Sequence, residues 1–217
     1  MTTQEFSLEF DILYNNITSN QAPGLTEYEK SVFLTQAQEE VIISLYEGKY
    51  GEAFEATEEL RSYLDVLVKT TKYNEFSPAK DVTVTLPEDY WYIVYESAKI
   101  EDNSFVNCED NTKEVYVYPV THDTLYKTKE SPFRGANSRR ILRLNDGDNT
   151  VTLSSRYPII EYVVKYLRKP NPIILVNLDN NLTIDNSSNT STCELSEALH
   201  RPILRKAVDL AKQVWLK

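Results

Sequence analysis

Apolar residues in the N-terminal third recur at helical spacing. Phe6, Phe10, Leu13, Tyr14 and Ile17 fall at i, i+4, i+7, i+8 and i+11, one stripe along one helix face. Thr2 and Glu5 have the spacing of a capping box, which predicts where this helix starts. Ser19-Asn20-Gln21-Ala22-Pro23-Gly24 stops it. Thr26 with Glu29 repeats the box and opens a second helix to about Glu47. Beyond Gly48 and Gly51 a third helix is predicted from about Glu52 to Thr70, burying Phe54, Leu60, Leu64, Leu67 and Val68.

At Lys80 the period changes to two. Val82, Val84 and Leu86 alternate with Thr83 and Thr85, as in a half-buried strand. Tyr90-Trp91-Tyr92-Ile93-Val94-Tyr95 is aromatic and β-branched and fits a strand, although Pro87 could equally start a helix there. Glu114 to Val120 alternates again. Asp146-Gly147 lies between two strand-like runs, Leu144 on one side and Val151 on the other, and predicts a hairpin. Ile159 to Arg168 reads as a long strand ended by Lys169-Pro170-Asn171-Pro172, with Ile173 to Val176 as a short additional one.

Asn177 to Cys193 is rich in Asn, Ser, Thr and Asp and predicts a loop or an extended arm. The chain closes with a helix whose stripe is Leu199, Ile203, Ala207, Leu210, Ala211 and Val214. Pro202 fits best in the first turn, which places a short turn at Ser196–His200 before the main helix. The stripe could pack on the chain's own N-terminal helices. Delivered by an extended arm, it could instead dock on a neighbour. The pattern predicts an α+β chain: an acidic helical region over residues 1–72, a mostly antiparallel β-rich region over 80–176, a loop or arm over 177–194 and a C-terminal helix over 195–217. These combine into one composite domain, and 217 residues are enough to bury its core.

Charge is distributed unevenly over this plan. The formal net charge of −10 comes from the first 65 residues, which hold thirteen acids against three bases. Lys127 to Arg143 carries six bases and one acid, and five bases face only Asp209 from Arg201 onward. An acidic head and basic later segments suit self-association through complementary surfaces. Candidate inter-subunit or partner contacts are therefore Arg134, Arg139, Arg140, Arg143, Arg201, Arg205 and Lys206. Fifteen tyrosines fit either the β core or interfaces with one dry and one wet side.

Catalytic chemistry has no sequence support. His122 and His200 are far apart, and neither has a second ligand at metal spacing. His122-Asp123 fits a capped short helix better than an acid–base pair, and Asp146-Gly147-Asp148 lacks the later glutamate of a calcium loop. No phosphate-cradling glycine loop or nucleophile elbow is present, so no catalytic residue, cofactor or metal is expected. Arg134, Arg139, Arg140 and Arg143 with Tyr126 and Phe133 could form a nucleic-acid patch, but the acidic whole favours acids of a neighbouring subunit as their partners. The first residues lack a secretory signal, and no stretch approaches the length of a membrane span. Cys108 and Cys193 form no framework and are expected to be free thiols in a reducing compartment.

Phe10–Ile17 with Ala22–Ser31, Tyr118–Asp123, Ser131–Arg134, Arg140–Leu144, Tyr162–Pro170 and Glu194–Val208 together resemble ring-forming neck proteins of crAss-like tailed bacteriophages. The resemblance implies a non-enzymatic virion structural protein. Such a protein forms a ring, dodecameric to match the portal, in the head-to-tail connector. Its partners would be the portal and the neighbouring neck or tail rings, double-stranded DNA would pass through the channel, and synthesis would occur in the host bacterial cytoplasm. A virion-associated hydrolase and a carbohydrate-binding tail module are the alternatives. Convergent carboxylates in a pocket would mark the first, and an exposed Trp91 flanked by tyrosines the second.

Overall fold

The computed structural model describes the chain apart from residues 18–23, 48–61, 75–76, 102–110, 180 and 216–217. The helices whose full span is described are α1 (Thr3–Ile17), α2 (Glu27–Tyr46), α3 (His122–Glu130) and α4 (Glu197–Trp215). Its strands are β1 (Val68–Tyr73), β2 (Ala79–Thr85), β3 (Tyr90–Glu101), β4 (Thr112–Val120), β5 (Arg140–Gly147) and β6 (Thr150–Arg168). The order helices, strands, helix is that of an α+β chain. Two compact units result: Met1–Leu67 with Pro170–Lys217, and Val68–Lys169.

The first unit is helical. Both capping boxes form: the Thr2 amide donates to Glu5 Oε2 at 2.8 Å and the Glu5 amide to Thr2 Oγ1 at 3.3 Å, and Thr26 with Glu29 repeats both bonds. Phe6, Phe10 and Tyr14 of α1 are buried, as are Leu34, Val41, Ile42 and Leu45 of α2. α4 packs on both helices and buries Leu199, Ile203, Leu204, Ala207, Val208 and Ala211. Its stripe therefore belongs to the chain's own core, while Val214 at its end is exposed.

α2 also buries a polar row. Ser31, Thr35 and Gln38, at i, i+4 and i+7, share one side of the helix and are buried. The returning segment 171–175 lies along this row and takes its hydrogen bonds from it. The Leu175 amide donates to Ser31 Oγ (3.0 Å), the Ile173 amide to Thr35 Oγ1 (3.1 Å), and Gln38 Nε2 donates to the Asn171 carbonyl (2.9 Å). Ile174 exchanges two 3.0 Å backbone bonds with Ser191, whose hydroxyl also donates to the Pro172 carbonyl. Glu194 accepts from the Asn171 amide at 2.9 Å. A buried segment outside any sheet thus keeps its backbone paired, and Ile173, Ile174 and Leu175 can enter the core. Nearby, Lys30 is only 3% exposed and is held by Asp11 (2.7 Å) and Glu27 (2.9 Å). Burial works against its charge, but the two carboxylates outweigh it and raise its pKa.

The second unit is one six-stranded sheet organised by β6. The first part of β6 pairs with β2 and β5, the second with β1 and β3. Because β3 pairs with β4 and β4 runs parallel to β5, the pairings β6–β3–β4–β5–β6 close a circuit. Ser155 to Pro158 are where β6 changes neighbours. One face buries Ile100, Val117, Ile141, Leu153, Ile159, Tyr162 and Val164 among others. Pro119 sits beyond the stretch of β4 paired with β3, so its missing N–H breaks no bond on that side. α3 links the parallel pair β4 and β5, and Leu125 and Ala136 pack on Val120, Leu142 and Leu144.

A charged cluster is buried in this sheet. Arg143 Nε donates to Glu96 Oε1 at 3.0 Å, with both side chains 9% exposed, and the Tyr162 hydroxyl donates to Glu96 Oε2 at 2.8 Å. Asn145 Oδ1 accepts from the same guanidinium. Burial pushes the Glu96 carboxyl above its usual range, with Arg143 and Tyr162 pulling the other way. Burial, then the Glu96 charge, pushes the Tyr162 phenol up as well.

Several expectations are corrected. The third helix does not reach Thr70: Asp65–Leu67 is a 3-10 turn and β1 starts at Val68, where Val68-Lys69-Thr70-Thr71 has β-branched residues and antiparallel partners in β6. Phe54 and Leu60 lie outside the described residues. Ile173–Val176 makes an isolated bridge, Ile174 to Ser191, and no strand, because its other bonds go to α2 side chains. That bridge, with the Leu178 amide donating to the Ser188 carbonyl (2.8 Å), brings the two ends of 177–193 together, as in the loop of the two expected alternatives. The hairpin turn residues are Asp148 and Asn149 (φ 47° and 56°), a primed turn, and Gly147 at φ 94° takes the adjacent bulge. Pro202 stands inside a continuous α4. The helix gives up one bond, to the Ala198 carbonyl, while Leu199 and Ile203 on either side of it are packed.

Two outcomes follow from the buried polar groups. Thr35→Val removes the acceptor of the Ile173 amide and should cost about 1–3 kcal/mol. Hydrogen exchange should speed up at Ile173 and at Leu175 together; an unchanged rate at both would show that the row on α2 does not hold the segment. Arg143→Met alone leaves Glu96 buried and unpaired and should cost about 3–5 kcal/mol, whereas Arg143→Met with Glu96→Leu should recover most of it. Denaturant unfolding of the two single variants and the double variant measures the coupling, and additive losses would contradict it.

Candidate functional site

The candidate contacts fall into three environments. Arg134 and Arg139 are exposed, on the stretch between α3 and β5. Arg140 is half-buried: its Nη2 donates to the Phe133 carbonyl (2.8 Å) and the Gly135 carbonyl (3.1 Å), and its guanidinium lies 5.5 Å from the centre of the Tyr118 ring. Arg143 is 8% exposed and is taken up by Glu96 within the chain, so it does not share the surface of the other three. Its place on β5, two residues from Ile141 on the buried side of a strand, was obscured in the sequence by the surrounding run of bases. In the helical unit, Arg201, Arg205 and Lys206 are exposed on α4, and Lys206 pairs with Glu40 of α2 at 3.0 Å.

Residues 131–139 form a built projection. The Ser131 amide donates to the Thr128 carbonyl (3.2 Å), the Gly135 amide to the Ser131 carbonyl (2.8 Å) and the Arg134 amide to Ser131 Oγ (3.2 Å). A Cβ on Gly135 would stand 2.8 Å from the Ser131 carbonyl oxygen and 3.0 Å from that of Lys129, so the turn closes on the end of α3 only with glycine there. At its tip Phe133 is 89% exposed, and Tyr126 on α3 is 77% exposed. Lys127, Lys129, Arg134 and Arg139 are exposed on the same stretch of chain, with Lys129 3.5 Å from Asp81. The sequence marked the bases. It placed Tyr126 and Phe133 beside them as rings of a candidate surface patch, and Pro132 and Gly135 on either side of Phe133-Arg134 signal a turn tip.

The described residues of α1 and α2 supply the opposite sign. Glu5, Glu9, Asp11, Glu27, Glu29, Glu39, Glu40 and Glu47 lie on or beside these helices, whose one lysine, Lys30, is buried. Between α2 and α4 runs a groove of about 520 Å³, lined by Val41, Ile43 and Pro202 together with both signs of charge, Glu40, Glu47 and Asp209 against Arg205 and Lys206.

Other chemistry is accounted for locally. His122 and Asp123 start α3: the Thr121 hydroxyl donates to Asp123 at 2.5 Å and holds its carboxyl below the usual range. His200 is 5% exposed, with Nε2 3.0 Å from the Leu195 carbonyl and Nδ1 2.8 Å from the Met1 amino group, and burial lowers its pKa. Burial pushes the Cys193 thiol up to about 11, which removes thiolate reactivity; Cys108 lies outside the described residues. Trp91 is half-buried with its ring 5.0 Å from that of Tyr92, so it is no open sugar platform. Among the described residues no group of three or more His, Cys, Asp or Glu could hold a metal ion, and no helix is long and apolar enough to cross a membrane.

Comparison with known proteins gives this arrangement its family. The model of the phage tail ring protein 3/4 family matches residues 1–215. Ring protein 3 of Bacteroides phage crAss001 is 43% identical over 220 residues, covering 97% of this chain and 95% of that protein. Ring protein 4/5 of the same phage is 34% identical over 233 residues, covering 99% and 94%. With all but the last two residues inside the matched span, the chain belongs to the crAss-type phage tail ring protein 3/4 family.

Proposed function

We propose that this chain is a virion structural subunit that assembles with copies of itself into a ring of the phage neck, twelve to match the portal, in contact with the portal or with neighbouring neck or tail rings. It acts by binding and has no catalytic step. Double-stranded DNA passes through the channel without sequence readout, and the subunit is made in the host bacterial cytoplasm before joining the virion. The observation that carries this reading is the match to the ring family over almost the whole chain. Surface chemistry supports it. An acidic pair of helices and a basic, aromatic projection are two unlike surfaces, as a head-to-tail contact requires, and such contacts close into rings when the rotation permits. Of the candidate contacts, Arg134 and Arg139 belong to the projection, Arg140 braces it from the start of β5, and Arg201, Arg205 and Lys206 offer α4 a second basic surface for another ring or the portal. Acidic helices facing the channel would repel phosphate and keep the duplex from adhering.

Native mass measurement of the full chain, alone and mixed with its portal and neck proteins, tests the reading. The isolated chain should be a monomer or a salt-sensitive weak oligomer, and the assembled ring should contain twelve copies of the 25.1 kDa subunit. A salt-resistant dimer as the only species, with no incorporation into the neck, would overturn it.

A further inference from the structure

We propose that His200 is an acid-sensitive latch between α1 and α4: its neutral ring holds the start of α1 on α4, and its protonated ring releases it. The latch lies inside the helical unit and does not depend on the ring reading.

Geometry fixes where the neutral ring carries its hydrogen. Nε2 lies 3.0 Å from the Leu195 carbonyl, which can only accept, so Nε2 is the N–H. Nδ1 is then a bare acceptor, and the Met1 ammonium donates to it at 2.8 Å. The Phe6 ring of α1 packs 5.5 Å from the imidazole. Phe6 is fully buried and His200 is 5% exposed. The imidazole therefore ties the start of α1 to the first turn of α4 by a hydrogen bond and by packing.

A second proton on the ring undoes this tie. It can go only to Nδ1, which changes from acceptor to donor and sets an imidazolium against an ammonium. The charged groups around the ring do not compensate it. From α1 these are the Met1 ammonium and Glu5, whose carboxylate already accepts from the Thr2 amide. From α4 they are Glu197 and Arg201. That is two of each sign, which leaves an added proton unbalanced. All four line a cleft beside His200, which brings solvent to the ring. Burial opposes the imidazolium most. The Leu195 carbonyl favours it, the Met1 charge opposes it and Glu197 favours it, and the balance lowers its pKa.

The sense of the pH dependence follows. An unfolded chain protonates this histidine at about pH 6.5, before the folded chain does. The latch is complete above that pH, and its contribution is lost as pH falls below it.

Hydrogen exchange of the full chain, expressed as protection factors, reads the latch at the Phe6 amide, which bonds the Thr2 carbonyl. Between about pH 7.5 and about pH 5.5, opening there should increase toward a limit of about tenfold, the effect of one proton. His200→Gln keeps a donor for the Leu195 carbonyl but cannot titrate, so it should abolish that increase. If the variant does not fold, the ring resonances of His200 in the unsubstituted chain decide instead. A hydrogen on Nε2 and a titration midpoint below about 6.5 support the latch. A hydrogen on Nδ1, a midpoint at or above that value, or the same pH dependence in His200→Gln and the parent overturns it.

Discussion

The backbone of residues 171–175 has to enter the helical core without a strand beside it, and the helical unit depends on how that is solved. Ser31, Thr35 and Gln38 give α2 a buried polar row in the place where an amphipathic helix would carry only apolar residues. Their hydroxyls and amide match the amides and carbonyls of the returning segment at 2.9–3.1 Å. Left unpaired, each of these buried groups would cost about 1–3 kcal/mol. Paired, they let Ile173, Ile174 and Leu175 contribute to the core and lead the chain on to α4, which covers α1 and α2.

In the second unit the corresponding constraint falls on β6. One strand of 19 residues serves four neighbours by changing partners at Ser155–Pro158. Glu96, Arg143 and Tyr162 come from three of the strands in the closed circuit, and their bonds tie β3, β5 and β6 together across the buried face. A charge pair out of water is weak evidence for added stability, but it fixes which residues must meet. That scaffold carries α3 and the 131–139 turn, so the exposed ring of Phe133 sits on a rigid base. Ring assembly by many copies depends on repeated contacts with the same geometry, which a pre-ordered projection can supply.

Much of the fold was legible because local physics set it. The capping boxes at Thr2 and Thr26 and the alternation of Val82, Val84 and Leu86 are read within a few residues, and all three form as the pattern predicts. What escaped was set by distant partners. Thr150–Arg168 read as separate runs because Ser154-Ser155-Arg156 interrupts the alternation where the strand changes neighbours. Val68–Thr70 matched a helical stripe until β6 supplied its antiparallel partner. Nothing local marked Ser31, Thr35 and Gln38 as a buried row, since their partners lie more than 130 residues away. The bases of the candidate surface were visible in the sequence, but a count of charges could not separate Arg143, paired inside the sheet, from Arg134 and Arg139 on its exterior.

Electron cryomicroscopy of the assembled ring tests the central claim most directly, because it shows the symmetry and the contact at once. The account predicts copies related by rotation about an open channel, each contacting the next through two different surfaces. Two-fold pairs that use the same surface on both copies would contradict it.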